Sequence, residues 1–189
     1  MLGVVLLVAL GAAAVWAVWI FNRLIRYRNG TRAGWSDIDV QLQRRHDLIP
    51  RLVETVRGYA GYERATLEAV TELRTLSRTA RGPSEKARIE QQIETGAHRL
   101  LALAESYPDL KANRNFLELQ KELVEVEDHL QHARRFYNGA VRELNTRIES
   151  FPDLLVARPF GFREAEFFEA EHEARAPVAV ALDGGKRAP

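Results

Sequence analysis

The feature that most constrains this chain is an uninterrupted apolar run near its start. Residues 2–21 read LGVVLLVALGAAAVWAVWIF and contain no charged side chain. At about 1.5 Å per helical residue, a run of this length spans roughly 30 Å, the thickness of a bilayer's hydrocarbon core. A helix is the expected form, because lipid offers backbone N–H and C=O groups no partner outside the segment. We therefore predict a transmembrane anchor over residues 1–22.

A cleaved signal peptide is the competing interpretation of this run, with the alanines at 12–14 as the cleavage site. A retained anchor is favoured because no Lys or Arg precedes the run, which begins at residue 2 and continues past the alanines. Four arginines follow the run: Arg23, Arg26, Arg28 and Arg32. Since positive residues favour the cytoplasmic side, we predict a single-pass protein of the cell (inner) membrane with its N-terminus outside and its soluble part in the cytoplasm.

Composition beyond the anchor excludes several classes of function. Lys and Arg total 27 and Asp and Glu 26, so the chain lacks the basic surplus typical of a nucleic-acid binder. It has no cysteine, which excludes disulfides, thiolate metal sites and a thiol nucleophile. The sequence also lacks a P-loop, a Gly-x-Gly-x-x-Gly, a Gly-x-Ser-x-Gly and a His-Glu-x-x-His motif. We therefore predict no enzyme, no catalytic residue, no cofactor and no metal site.

Apolar residues at helical spacing predict three amphipathic helices after the anchor, over residues 35–76, 84–107 and 109–150. The first is expected to kink or restart at Pro50, with Asp47 as a candidate N-cap. The third has the alternating spacing of three and four residues that is typical of coiled-coil packing. Helices with short connections bury their apolar faces against one another. The fold class is thus all-α, an antiparallel bundle of long helices preceded by a transmembrane helix.

The ends of these elements carry further predictions. Ser84 is the expected N-cap of the second helix. Five of the eight phenylalanines lie in residues 151–168, and a segment so rich in aromatics is expected to fold back and cap the bundle. A short helix is expected over residues 163–173, and residues 174–189 are predicted to be disordered. The candidate partner contacts are Phe160, Phe162, Phe167 and Phe168. The bundle domain with its cap then covers residues 23–173.

A strip of polar residues runs beside the apolar face of the third helix. Within an arc of about 60° lie Asn113, Gln120, Glu127, Arg134, Asn138 and Asn145. The first helix carries Arg45 and Glu63 in the middle of its own apolar face. Because a buried arginine needs an acid, we predict that Arg45 meets Glu127 across the interface. The alternatives are that both side chains extend to water along the edge of the bundle, or that the strip is a ligand site.

Several segments resemble the LemA family. They are residues 35–45 (WSDIDVQLQRR), 47–50 (DLIP), 52–60 (LVETVRGYA), 107–112 (YPDLKA), 116–120 (FLELQ), 134–138 (RRFYN), 151–152 (FP) and 160–162 (FGF), together with Glu127. The resemblance extends over about residues 22–170. It implies a bacterial single-pass membrane protein whose bundle of long helices faces the cytoplasm. The resemblance does not imply a particular activity or cofactor and leaves the function open.

Two functional interpretations follow. The first is a membrane-tethered interaction or scaffold protein, whose partners are the lipid bilayer and a membrane-associated protein or further copies of itself. Pro50 and the aromatic segment are then the expected places for a partner to act. The second is a cytoplasmic-face enzyme or a ligand- or metal-binding module, with an interior pocket lined by Arg45, Glu127 and Arg134.

Overall fold

The computed structural model describes residues 1–58 and 64–169, with the side chains of residues 64–70 outside the description. The described part contains helices and no strand, so the predicted all-α fold is confirmed. The helices are α1 (Leu2–Arg57), α2 (Arg64–Thr79), α3 (Pro83–Leu103), α4 (Pro108–Lys111), α5 (Arg114–Glu149) and α6 (Leu154–Ala157), with a 3-10 turn at Ala104–Ser106.

The predicted anchor and the first bundle helix form one continuous helix. α1 has 56 residues and passes through Pro50 without ending, so the predicted restart there is wrong. Proline removes one backbone hydrogen bond, but Ile49 and Leu52 are buried in the core on either side of it, and their packing holds the helix together. Asp47 is no cap, since its carboxylate accepts a hydrogen bond from Gln43 one turn earlier, at 3.0 Å. Among the described residues, α1 alone is long and apolar enough to cross a membrane.

Two helix starts differ from the prediction. α3 begins at Pro83 with Gly82 as its N-cap, so Ser84 lies inside the first turn. Gly82 has φ 92°, a conformation that favours glycine over serine. The predicted single helix over 109–150 is divided into α4 and α5 at Asn113, whose side chain accepts hydrogen bonds from the backbone N–H groups of Asn115 and Phe116 at 2.9 and 3.2 Å.

The core runs along α1 and α5, which are antiparallel. Three apolar clusters follow one another along this interface. The first joins the early part of α1 to the late part of α5, the second joins the middle parts of the two helices, and the third joins the late part of α1 to the early part of α5. Their principal members are Ile20, Leu24, Leu144 and Ile148; then Ile38, Leu42, Leu130 and Val141; then Ile49, Leu52, Phe116 and Leu123. α3 adds Ala87 to the second cluster and Ile93 to the third, and α2 packs on α3. The fold is therefore the antiparallel bundle that helical spacing predicts.

The backbones of α1 and α5 approach each other closely at a glycine. A Cβ atom added to Gly34 would lie 3.0 Å from the Cα of Tyr137 and 3.0 Å from Cδ1 of Phe136. Gly34 is buried, whereas one helical turn earlier a Cβ atom at Gly30 would meet nothing within 4 Å. The absence of a side chain at residue 34 therefore lets the two long helices pack tightly beside Trp35.

Gly34→Val is expected to lower the free energy of unfolding by about 1–3 kcal/mol, because the valine must push the α5 backbone away. The matched variant Gly30→Val has open space around the new side chain and is expected to cause no such loss. Chemical denaturation of the full chain in detergent, followed by circular dichroism, measures both. Equal losses in the two variants would show that the approach at Gly34 does not constrain the packing.

Residues 151–169 fold back on the bundle, as their aromatic content predicts. Val156 and Ala157 of α6 and Phe162 pack on Ile20 and Leu24 of α1. The helix predicted over residues 163–173 is not formed over 163–169, where the chain is extended along α5; we call residues 163–169 the C-terminal strap. Side chains of α5 form hydrogen bonds with the backbone of Ala165 and Phe168 in this strap, in place of the bonds that a helical turn would supply. The rest of that predicted helix, and the predicted disordered tail 174–189, lie outside the described residues.

Candidate functional site

Four helices meet at a buried ionic cluster centred on Glu90 of α3. Arg45 of α1 donates to the carboxylate of Glu90 and, at 3.2 Å, to its backbone carbonyl. His46 lies 2.8 Å from Oε1 of the same carboxylate, and Ser77 of α2 donates to that oxygen as well. Arg45 also donates to Glu127 of α5 at 3.1 Å. The Glu90 side chain is only 2% exposed, so this cluster lies in the interior.

The surroundings of Glu90 keep it ionised. Burial would raise its pKa, but the hydrogen bond with His46, the charge of Arg45 and the hydrogen bond from Ser77 outweigh burial. The pKa of Glu90 is lowered from its ordinary 4.5 to about 2. Because Glu90 is then a carboxylate, it accepts from His46, whose Nε2 carries the hydrogen. The neighbouring Glu94 differs: burial and the charge of Glu127 raise its pKa.

The local sequence places each member of the cluster on a face that turns inward. Arg45 and His46 follow Leu42 by about one helical turn, and Glu90 precedes Ala97 by two turns. The predicted pairing of Arg45 with Glu127 is present, but the more buried acid, Glu90, is a partner that the sequence analysis missed. His46 and Ser77 were missed too. Positions 46 and 90 each lie at an apolar face, a pattern that marks them as candidates for burial but does not identify their partners.

Because the pKa of Glu90 is low, we expect the free energy of unfolding to depend on pH. The pKa of Glu90 is 4.5 in the unfolded chain and about 2 in the folded chain. Its contribution to the free energy of unfolding is therefore complete above pH 4.5 and is lost as the pH falls toward 2. Between about pH 5 and about pH 3, the free energy of unfolding should fall by about 2 kcal/mol more in the native chain than in Glu90→Gln. Denaturation of both proteins at the two pH values checks this. Equal pH dependence would contradict it.

The other members of the predicted polar strip do not form one ladder. Asn113 is the N-cap of α5, and Gln120 is exposed. Arg134 lies with its guanidinium over the ring of Phe168, 5.3 Å from the centroid. Glu127 accepts from Arg45 and also from Gln131 at 3.1 Å. The strip thus divides into a cap, an exposed position, an ionic contact and contacts to the C-terminal strap. Glu63 lies outside the described residues.

The last two amides of the strip hold the C-terminal strap. Asn145 accepts from the N–H of Ala165 at 2.9 Å and donates to its carbonyl at 3.0 Å. Asn138 makes the same pair of bonds with the backbone of Phe168, at 2.9 and 3.3 Å. Seven helical residues rise about 10.5 Å and three extended residues about 10 Å, so the two spacings match. Tyr137 adds a hydrogen bond from its hydroxyl to the carbonyl of Glu166, 2.8 Å away.

The four phenylalanines predicted to contact a partner have different surroundings. Phe168 is fully buried among α1, α3 and α5, and Phe162 is 8% exposed against α1 and α6. Phe167 is partly buried. Only Phe160, at 63% exposed, still presents its ring to the surroundings. Because the strap docks on its own bundle, two of the four are core residues and are unavailable to a partner.

The ionic cluster offers no open coordination position. Both carboxylate oxygens of Glu90 accept hydrogen bonds, from Arg45 on one side and from His46 and Ser77 on the other. Among the described side chains, those of residues 1–58 and 71–169, no three from His, Asp or Glu are grouped closely enough to hold a metal ion. The arrangement can therefore fix the relative positions of four helices, because groups of α1 and α2 donate to Glu90 of α3 and Arg45 also donates to Glu127 of α5. Nε of Arg45 is buried without a hydrogen-bond partner.

Two open grooves lie side by side on the outer face between α1 and α5. Their volumes are about 300 and 340 Å³. Val40 and Phe136 line the second groove and are 49% and 56% exposed. The polar lining of the two grooves comprises Asp37, Gln41, Arg44, Asp47, Glu122, Glu125, His129 and His132. Four acids and one arginine thus surround an apolar floor.

The chain has relatives among known proteins. A family model described as the LemA family matches residues 34–182. Protein LemA of Metamycoplasma hominis is 27% identical over 158 residues, which cover 83% of this chain and 72% of that protein. Magnetosome protein MamQ 2 of Paramagnetospirillum magneticum is 24% identical over 184 residues, covering 84% of this chain and 68% of the relative. Magnetosome protein MamQ of Magnetospirillum gryphiswaldense is 22% identical over the same shares.

Proposed function

The chain belongs to the LemA family, and we propose that it is a non-catalytic, membrane-anchored interaction protein. In this proposal α1 crosses the cell membrane, and the bundle stands on the cytoplasmic side to bind a membrane-associated protein or a further copy of itself. The observation that carries the proposal is the continuity of α1. A single helix of 56 residues, about 84 Å long, supplies both the apolar run and a quarter of the bundle.

Continuity has a functional consequence, because no flexible linker separates the anchor from the bundle. A bundle on a flexible tether samples a volume, whereas one built on the membrane helix itself keeps a fixed height and a restricted orientation. Confinement to the surface raises its effective concentration toward other membrane proteins. Such a geometry suits an interaction protein that holds a surface at a set distance from the bilayer.

The proposed orientation rests on the arginines that follow the apolar run. Arg26 and Arg32 are exposed, while Arg23 and Arg28 are partly buried against the bundle. Positive residues on the bundle side favour a cytoplasmic bundle. Since the chain has no cysteine, single cysteines give a clean test. Leu2→Cys should react with an impermeant maleimide in intact cells, and Val124→Cys only after permeabilisation; the reverse pattern would contradict the orientation.

The partner surface that we propose is the pair of grooves between α1 and α5. Exposed Val40 and Phe136 supply apolar contact. The rim carries four acids and Arg44, and Arg51 beside it pairs with Glu122 at 3.4 Å, so the net charge of the rim is negative. A groove between two helices accepts an apolar helix face, and the rim adds charge complementarity. The occupant is thus an amphipathic helix with Lys or Arg flanking its apolar face. Phe162 and Phe168 are buried and do not fit as contacts.

The alternative of an interior ligand pocket has less support. Arg45 and Glu127 do meet, but Arg134 lies over Phe168 instead of joining them. A strongly lowered pKa, as at Glu90, is typical of active sites and also of structural ion networks. Since the carboxylate of Glu90 is enclosed by Arg45, His46 and Ser77, the structural interpretation is favoured.

Site-specific photo-crosslinking in native membranes tests the proposed partner surface. A photoreactive residue at position 136 lies in the groove, and the same residue at position 124 is the matched control, because Val124 is 55% exposed and Phe136 56%. We expect a discrete adduct from position 136 alone, with the crosslinked peptide rich in Lys or Arg, and its loss when Asp37 and Glu125 are changed to Lys. No adduct, or the same adduct from both positions, would refute this surface. An adduct between two copies would identify self-association.

A further inference from the structure

The end of the bundle nearest the apolar run carries a group of exposed apolar side chains that the proposed function does not use. Phe151, Leu155 and Phe160 are 77%, 55% and 63% exposed. Beyond the first 19 residues, three of the eight large apolar side chains that are exposed in the described part of the chain lie within residues 151–160. We call Phe151, Leu155 and Phe160 the apolar end patch. A soluble surface rarely concentrates such side chains without a function for them.

Contacts with α1 fix the level of this patch along the anchor. The rings of Phe160 and Phe21 meet edge to face with centroids 5.1 Å apart. Val156 and Ala157 of α6 are buried in the same apolar cluster as Ile20. The patch is therefore level with residues 20–21, where the apolar run ends and the exposed rings of Trp16 and Trp19 gather.

The acid in the same segment is shielded. Asp153 is 3% exposed at its side chain and accepts a hydrogen bond from Arg23 at 2.6 Å, with Arg147 at 4.0 Å. An unpaired carboxylate at the level of the bilayer interface would cost free energy, whereas a neutralised pair under apolar side chains costs less. The segment thus presents Phe151, Leu155 and Phe160 outward, with Arg158 exposed among them, and holds its carboxylate inward against Arg23 of α1.

We propose that the apolar end patch is a second membrane contact, inserted into the interfacial region of the leaflet from which α1 emerges. Aromatic and leucine side chains favour this region. One helix crossing a bilayer leaves the bundle free to rotate about the helix axis, and a second contact beside it fixes that rotation. The bundle then stands with the 151–160 side toward lipid. This inference rests on the proposed anchoring of α1.

Single nitroxide labels on the full chain in phosphatidylcholine–phosphatidylglycerol vesicles test the proposal, because the chain has no cysteine of its own. The probes are Leu155→Cys for the patch, Val8→Cys for the anchor and Phe136→Cys for an exposed apolar position away from it. Collision rates with oxygen, which concentrates in lipid, are compared with those of a water-soluble nickel chelate. We expect the oxygen-to-nickel ratio at residue 155 to lie several-fold above that at residue 136 and below that at residue 8.

The outcomes separate the proposal from its premise. A lipid-like ratio at residue 8 with equal ratios at 155 and 136 would overturn the second contact and leave the anchor standing. A water-like ratio at residue 8 would overturn the anchor, and the second contact with it. Spin–spin broadening at residue 155 that disappears on dilution with unlabelled protein, without a raised oxygen ratio, would assign the patch to a second copy of the chain and overturn the lipid contact.

Discussion

Glu90→Leu is expected to lower the free energy of unfolding by about 3–5 kcal/mol, the largest effect we expect from any single polar residue. The substitution removes the carboxylate that Arg45, His46 and Ser77 all contact. Arg45 then keeps Glu127 and the backbone carbonyl of residue 90, while His46 and Ser77 lose their acceptor in the interior. Urea denaturation of the full chain in detergent, followed by circular dichroism, measures the loss.

Two further variants test the cause of that loss. Glu127→Leu removes the other acid of Arg45, but the Glu127 side chain is 23% exposed and Glu90 remains, so its cost should be about 1 kcal/mol. The double variant Arg45→Met with Glu90→Leu leaves no buried guanidinium to compensate and should recover part of the loss. A cost for Glu127→Leu equal to that for Glu90→Leu would show that Glu90 is not the centre of the cluster.

The parts of this fold that were predictable are those governed by local periodicity. The apolar face of α5 follows from helical spacing, and so does the inward position of Arg45, from which its contact with Glu127 was inferred. Glu90 escaped notice because a single acid at the edge of an apolar stripe has the same local pattern as a solvated acid. Only the positions of α1 and α2 relative to α3 reveal that its surroundings are closed.

Errors arose where tertiary contacts override local preference. Pro50 interrupts the hydrogen bonding of α1, yet the buried residues around it keep the helix intact. The sequence of the C-terminal strap has no helical spacing of apolar residues. Its partners are Asn138 and Asn145, whose positions beside the apolar face of α5 predict hydrogen bonds between helices instead. An amide that binds backbone leaves no complementary residue type in the sequence, so its partner is visible only in the folded chain.

Phe168→Ala is expected to lower the free energy of unfolding by about 3–5 kcal/mol, because truncating a fully buried ring leaves a cavity. The ring is 0% exposed and packs on Trp35, with centroids 5.8 Å apart, and under the guanidinium of Arg134. Thermal or chemical denaturation of the purified chain in detergent measures the change. Since no other protein is present in that sample, a loss of this size that does not change with protein concentration comes from contacts within the chain.

Phe160→Ala is the matched control, because Phe160 belongs to the same aromatic segment and is 63% exposed. Its truncation should cost less than about 1 kcal/mol. In intact membranes, Phe160→Ala should weaken the contact with lipid more than Phe168→Ala does, since Phe160 belongs to the apolar end patch and Phe168 to the core. If Phe168→Ala were neutral, the strap would not be docked on its own bundle, and Phe168 would again be available to a partner. If both variants cost several kcal/mol, Phe160 would belong to the core and the apolar end patch would lose a member.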